Sequence, residues 1–180
     1  MKQTVKFGLI LGFICLIATF ILAFTHEITK PKIEEQIRRE EEAALKAILP
    51  EADYFRPGEA DGIEYFEGLR QSELIGYCLK VTGSGYGGYI HMMVGIDPSG
   101  VIKGVRILEH HETPGLGSKI DEIRKGDSSP YFLRQFVGKR GDSLAIRKNI
   151  DAITGATISS KAVTDAIQKT VSEFLQKVKR

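Results

Sequence analysis

The spacing of apolar residues along the chain changes period several times, and each change marks a different kind of element. From Phe7 to Phe24 the run FGLILGFICLIATFILAF carries no charge and is preceded by Lys2 and Lys6. A run of this length approaches what a helix needs to cross the hydrocarbon core, and Val5 and Thr25 extend it at little cost. The pattern predicts a transmembrane helix over 7–25 after a short segment, 1–6. A cleaved signal peptide competes, but the apolar stretch is long for one. No small-x-small cleavage site follows it either, since Ala23 is succeeded by Phe24, Thr25 and His26. An uncleaved anchor is the better reading.

A second helix is expected to begin at Thr29-Lys30-Pro31-Lys32, with Thr29 as a cap and Pro31 in the first turn. Ile33, Ile37, Ala44, Leu45 and Ile48 then mark one face, while Glu34 with Arg38 and Glu35 with Arg39 form i,i+4 pairs on another. Pro50 should stop it. The result is a stalk helix within 26–50 that spaces the remaining chain from the bilayer.

Farther along, the period falls to two. Pro57 to Gly62 is turn-rich, and a short strand is expected from Gly62 to Phe66. Ile75, Tyr77, Leu79 and Val81 alternate, as do Ile90, Met92, Val94 and Ile96, with the glycine-dense stretch Thr82 to Gly88 between them. Asp97-Pro98-Ser99-Gly100 supplies type I turn chemistry before a third strand with Val101, Lys103, Val105 and Ile107. This is an antiparallel meander. A helix carrying Tyr131, Phe132 and Phe136 is expected to add core. After Ser160, Ala162, Val163, Ala166, Ile167, Val171, Phe174, Leu175 and Val178 recur at helical spacing. The fold class is α+β, with an antiparallel sheet packed by helices over 51–180.

Composition agrees with one globular domain plus appendages, at 42% hydrophobic and 27% charged residues. A net charge of +2 is too small to point to nucleic acid as a partner. Cys15 lies in the membrane run and Cys78 in a predicted strand, so geometry argues against a disulfide between them and Cys78 is expected to be buried. Lys30, Lys32, Arg38 and Arg39 after the span outnumber the lysines before it, so local charge does not settle orientation.

Three stretches carry candidate chemistry. Thr82 to Gly88 has no dinucleotide fingerprint in context, because a strand rather than a helix follows it, and it reads as a hairpin connection. His110-His111-Glu112 invites a metal reading, but adjacent strand residues point to opposite faces, so no metal site is assigned. Pro114, Gly115 and Gly117 suggest instead a rigid turn whose backbone N–H groups are exposed and which can approach a flat ring closely. Asp151-Ala152-Ile153-Thr154-Gly155-Ala156-Thr157-Ile158-Ser159-Ser160 gathers hydroxyls, a flexible glycine and a carboxylate just before the last helix. Two roles fit it. Thr157 or Ser159 could be an N-cap, or the helix N-terminus could hold a phosphate, with Lys161 adding a cation.

Asp151-x-x-Thr154-Gly155-Ala156-Thr157 resembles the flavinylation motif of FMN-binding subunits in the Rnf and Na+-translocating NADH:quinone reductase complexes. Glu112-Thr113-Pro114-Gly115-Leu116-Gly117 is similar to the second signature of the same domain, in the right order, and the chain length favours the shorter Rnf component, RnfG, over its larger quinone-reductase counterpart. The resemblance implies FMN joined through its phosphate to Thr157 by a separate flavin transferase, which would read Asp151. It also implies that Thr154, Gly155, Ala156, Ile158 and Ser159 surround the cofactor, that Glu112, Thr113, Leu116 and Gly117 contact it non-covalently, and that the glycine-dense loop borders it. The family often carries Trp in the aromatic helix, and this chain has none. Further implied are a single-pass anchor in the cytoplasmic membrane and its lipid, a domain on the periplasmic or extracytoplasmic side, and partner subunits of a complex. That complex passes electrons between ferredoxin and NAD+, coupled to Na+ or H+ transport. With no apparent NAD or ferredoxin site, the chain alone should not act as an NADH oxidoreductase. Two alternatives stand beside this reading: a stand-alone extracytoplasmic flavin shuttle, and a non-redox anchored binding module in which Thr157 is only a cap.

Overall fold

A computed structural model of the chain describes residues 2–178; Met1, which opens the expected N-terminal segment, and Lys179 and Arg180 lie outside the described residues. Helix α1 runs Lys2–Ile48, and the chain divides into two compact units at Glu40/Glu41. In the first unit the large apolar side chains stand on the surface of the helix. Phe7, Leu9, Leu11, Phe13, Leu16, Phe20 and Leu22 are all exposed, as expected of a helix whose solvent is lipid. Its hydroxyls are turned inward: Thr19, Thr25 and Thr29 donate to the carbonyls of Cys15, Ile21 and Thr25 at 2.8–2.9 Å, which removes their polarity from the helix surface.

No second helix starts at Thr29. Its hydroxyl bonds back to Thr25 instead of capping, and Pro31 lies within α1. Nucleation is the costly step of helix formation, and the apolar span has already made it. Pro31 removes one ladder bond from a helix that otherwise propagates through it. The helix ends at Ile48, before Pro50.

The second unit is built on a five-stranded antiparallel meander: β1 Tyr54–Ala60, β2 Ile63–Arg70, β3 Glu73–Ser84, β4 Tyr89–Ile96 and β5 Ile102–His110, in that spatial order. The alternating runs form β3, β4 and β5 as expected. The second half of β1, from Pro57, falls in the stretch expected to be turn-rich. β1 is an edge strand pairing only with β2, where the missing proline N–H costs no ladder bond. Gly58 lies against Tyr65, with no room for a Cβ beside the ring. The reversal falls at Asp61-Gly62, both with positive φ (48° and 81°), the conformation of a two-residue hairpin turn.

One face of the sheet packs against helix α2, Thr157–Val178. Leu79, Val81, Ile90, Met92 and Val94 meet Val163, Ile167, Val171 and Phe174 in one buried cluster. The aromatic segment is not an α-helix but a short 3-10 turn, Leu133–Phe136, which ends where Val137 turns extended (φ −61°, ψ 132°) and Gly138 takes φ +79°. Phe132 and Phe136 are fully buried edge to face at 5.4 Å, so they are core, and Tyr131 stacks 3.6 Å from the Arg124 guanidinium.

The opposite face receives the end of α1 through a floor of glycines. Gly68, Gly76, Gly95 and Gly104 lie on β2, β3, β4 and β5, and pair as Gly68↔Gly76 and Gly95↔Gly104. A Cβ on Gly68 would stand 2.9 Å from Leu49, and one on Gly95 would overlap the Ile48 side chain. The bare backbone therefore lets Ala44, Leu45, Ile48 and Leu49 close over Cys78 and Met93. Lys80 adds ion pairs to Glu41 (2.7 Å) and Glu64 (3.1 Å).

Truncating Ile48 to Ala should open a cavity over this floor and cost about 2–4 kcal/mol. Thermal unfolding of the detergent-solubilised chain checks this, and an unchanged midpoint would mean the helix end does not hold the sheet. Burial pushes the Cys78 thiol up to about 12. In a Cys15→Ser background, Cys78 should resist iodoacetamide at mildly alkaline pH and react only once denaturant is added.

Candidate functional site

The site is assembled where α2 begins. Ala156 N–H donates to Ile153 at 2.9 Å, closing a turn whose third residue, Gly155, has φ +81°, a region that favours glycine. Ser160 N–H donates to Ala156 at 2.9 Å, which makes Ala156 the residue at the helix threshold and Thr157 the first helical residue. Neither Thr157 nor Ser159 is an N-cap. The hydroxyl that braces the turn belongs to Ser160, which donates to the Ala156 carbonyl (2.9 Å) and accepts from Ile153 N–H (3.0 Å). Sequence reasoning passed over this residue, because adjacent serines at a helix start are indistinguishable until their directions are known.

Thr157 is left exposed, and its hydroxyl makes no side-chain hydrogen bond among the described residues. The N–H groups of Thr157, Ile158 and Ser159 lie in the first turn, where an α-helix offers no internal partner. Lys161 is engaged elsewhere: it pairs with Asp165 one turn farther on, rather than standing free at the N-terminus.

Below this surface lies Glu112, only 5% exposed. One carboxylate oxygen accepts from Gly87 N–H at 3.0 Å, and the other accepts from the Ser159 hydroxyl. A single buried carboxylate thus ties the β3–β4 loop to the first turn of α2. The partial positive charge of a helix N-terminus favours its being there. Glycines make the room, since a Cβ on Gly85 or Gly117 would overlap the Glu112 carboxylate itself.

The segment after Glu112 forms a closed turn. Leu116 and Ser118 N–H both donate to the Thr113 carbonyl at 3.2 Å, Gly115 N–H donates to Ser118 Oγ at 2.9 Å, and Gly115 takes φ +76°. Exposed N–H groups were expected here. The structure spends those of Gly115, Leu116 and Ser118 inside the turn, and what the turn presents outward is the half-exposed Leu116 side chain. The two histidines have separate neighbours: His110 Nδ1 accepts from Glu112 N–H at 3.3 Å, while His111 lies 3.8 Å from Glu109.

These elements enclose a cleft of about 410 Å³, within the usual range for a small-molecule site. Among the residues singled out from sequence, Glu112, Thr113, Leu116, Gly117, Gly155, Ala156, Thr157, Ile158 and Ser159 line it together, although 37 residues lie between the two stretches' inner ends, Gly117 and Gly155. Thr154 is exposed on the turn and does not line it. Asp151 also stands apart. Gln135 holds its backbone, donating to Asp151 C=O (3.2 Å) and accepting from its N–H (2.9 Å), while its side chain is exposed. Tyr86 completes the lining. It sits in the glycine-dense loop expected to border the site but was not singled out, because a tyrosine among glycines has no motif of its own.

The lining is amphipathic. Leu116, Ala156, Ile158 and Tyr86 supply apolar surface, while the Thr157 hydroxyl and the first-turn N–H groups suit an anion. A flat ring carrying a phosphate fits that division.

Comparison with known proteins agrees. Residues 85–172 match the family described as FMN-binding domain, and residues 1–48 match the family described as RnfG N-terminal region. The chain is 34% identical to the G subunit of the ion-translocating oxidoreductase complex of Haemophilus influenzae (strain PittEE), over 93% of this chain and 88% of that protein. It is 32% identical to the G subunit of the Na(+)-translocating ferredoxin:NAD(+) oxidoreductase complex of Acetobacterium woodii, over 96% and 92%. Among solved structures it resembles the C subunit of the Na(+)-translocating NADH-quinone reductase from Parabacteroides distasonis, with a TM-score of 0.50 and 25% identity over 66% of this chain and 63% of that one.

Replacing Ser159 with Ala would leave one oxygen of the buried Glu112 carboxylate without its donor. The expected cost is about 1–3 kcal/mol, read as a lowered unfolding midpoint. A midpoint equal to wild type would show that this bond contributes nothing.

Proposed function

The chain belongs to the RnfG family of ion-translocating oxidoreductase components, and on that premise we propose that it is a membrane-anchored flavoprotein relaying electrons through FMN bound covalently to Thr157. The observation that carries this reading is the state of Thr157: an exposed hydroxyl without a side-chain hydrogen bond among the described residues, lining the amphipathic cleft inside the segment that matches an FMN-binding domain.

The chemistry asks little of this chain beyond presentation. A threonine hydroxyl is a weak nucleophile, so attack on a phosphoanhydride needs charge neutralisation and a base, and the flavin transferase would bring both. The new bond joins Thr157 Oγ to the FMN phosphorus as the anhydride bond breaks and the remainder of the donor leaves. The hydroxyl proton passes to the transferase's base. The chain contributes a helix N-terminus whose N–H groups face the phosphate, a turn kept small by Gly155 and Ala156, and Asp151 held outward by Gln135 for the transferase to read. The bound flavin supplies one- and two-electron redox chemistry, and the protein supplies position and environment.

In this reading the 7–25 span anchors the protein in the cytoplasmic membrane and its lipid, 26–50 forms the stalk, and 51–180 lies on the periplasmic or extracytoplasmic side. A covalent bond is useful there, because lost FMN could not readily be replaced. The other subunits of the complex provide the donor and acceptor between ferredoxin and NAD+, with Na+ or H+ as the coupled ion. The isolated chain is then an electron carrier without NADH oxidoreductase activity.

The test is the intact mass of the detergent-extracted chain after coexpression with a flavin transferase. A gain of FMN less water on the peptide containing Thr157 is expected. Thr157→Ala should abolish the gain while shifting stability by no more than about 0.5 kcal/mol, as for a surface substitution away from any special feature. Covalent FMN on that variant would overturn the site assignment, and an unmodified wild-type chain beside an active transferase would overturn the flavoprotein reading.

A further inference from the structure

Tyr86 is the one aromatic side chain among the described residues that line the cleft, and neither signature contains it. It is 73% exposed, although burying a ring of this kind would ordinarily stabilise the fold. The fold holds it in that position actively. Gly85 N–H donates to Gly88 C=O at 2.8 Å, closing the turn around Tyr86-Gly87, and Gly87 N–H is bonded to the buried Glu112. Gly87 also packs against the His111 carbonyl too closely to admit a Cβ. The backbone on which Tyr86 stands is therefore pinned from beneath, on the same carboxylate that pins Ser159 two residues from Thr157. Tyr54 and Tyr89 are comparably exposed, but neither lines the cleft, and Tyr89 lies beside His91 instead.

We propose that Tyr86 is a ring-binding residue, the aromatic face against which the isoalloxazine of a Thr157-linked FMN rests, with Glu112 as the positioning residue that fixes the loop presenting it. The inference rests on the covalent-flavin reading. A tether through the phosphate fixes one end of the cofactor and leaves the ring to swing. A second, non-covalent contact is needed to hold the ring at one distance and orientation from an electron partner. The Tyr86 ring offers such a contact in a cleft whose other large side chains, Leu116 and Ile158, are aliphatic. Offset stacking between aromatic rings is favourable beyond the burial of their area.

Stacking has an optical signature separate from activity. An excited flavin takes one electron from an adjacent phenol and then returns it, so fluorescence is lost without net chemistry. A ring held in one chiral setting also gives a visible circular-dichroism band. The experiment uses the full chain, extracted in detergent after coexpression with a flavin transferase, with FMN on the Thr157 peptide verified by mass for each variant. Tyr86→Phe should raise flavin fluorescence several-fold while keeping the visible band, because the ring remains but the electron donor is gone. Tyr86→Ala should raise fluorescence and weaken the band. Glu112→Gln, which keeps the shape but removes the charge, should shift both signals part of the way. Wild-type fluorescence and dichroism in both Tyr86 variants, with FMN on Thr157, would overturn the role of Tyr86 and leave the covalent flavin standing. A wild-type chain without FMN would overturn both.

Discussion

The interaction on which the site depends is the pair of hydrogen bonds at the Glu112 carboxylate. A charge removed from water at this depth is costly unless its lone pairs are met. Here the two donors come from widely separated parts of the domain's sequence, Gly87 in the β3–β4 loop and Ser159 in the first turn of α2. Satisfying one carboxylate therefore forces two distant segments to meet. Gly85 and Gly117 leave the space it occupies, so the position is defined sterically as well as electrostatically. The cleft is what remains above this junction.

The sheet serves two purposes through its two faces. One is covered by α2 in a conventional apolar interface of branched and aromatic side chains. The other carries glycines where side chains would normally stand, so that the last turns of α1 approach the strand backbones directly. Close backbone approach gives up side-chain burial in return for a tight fit. The loop between β3 and β4, the segment after β5 and the start of α2 carry the residues that line the cleft.

The chemistry of the cleft follows from what is held and what is released. Ser159 and Ser160 are buried and bonded, whereas Thr157, within one turn of both, is exposed, with a hydroxyl that has no side-chain hydrogen bond among the described residues. Helical geometry makes this division. Residues three apart share a face, so Thr157 and Ser160 would point alike but for the turn at the threshold, where Ser160 folds back onto Ala156 and Ile153. The helix start is braced by one hydroxyl, anchored by a second and left with a third to present.

Much of this protein was legible in its residues alone. The membrane run, the alternation that builds β3, β4 and β5, the helical stripe of α2, and the two short signatures before and after the aromatic segment are local patterns, and local patterns survive without the fold. What failed were readings in which a local rule met a stronger neighbour. Pro31 did not begin a helix because one was already running through it, and Pro57 did not break a strand because the strand lies at an edge. Tertiary structure alone decided the rest: that Glu112 turns inward to Gly87 and Ser159, that the glycines of β2 to β5 form one floor, and that Tyr86 stands at the cleft. Each depends on which groups come together across dozens of residues. The sequence determines that arrangement only through the packed whole, because hydrogen bonds and steric contacts act through space rather than along the chain.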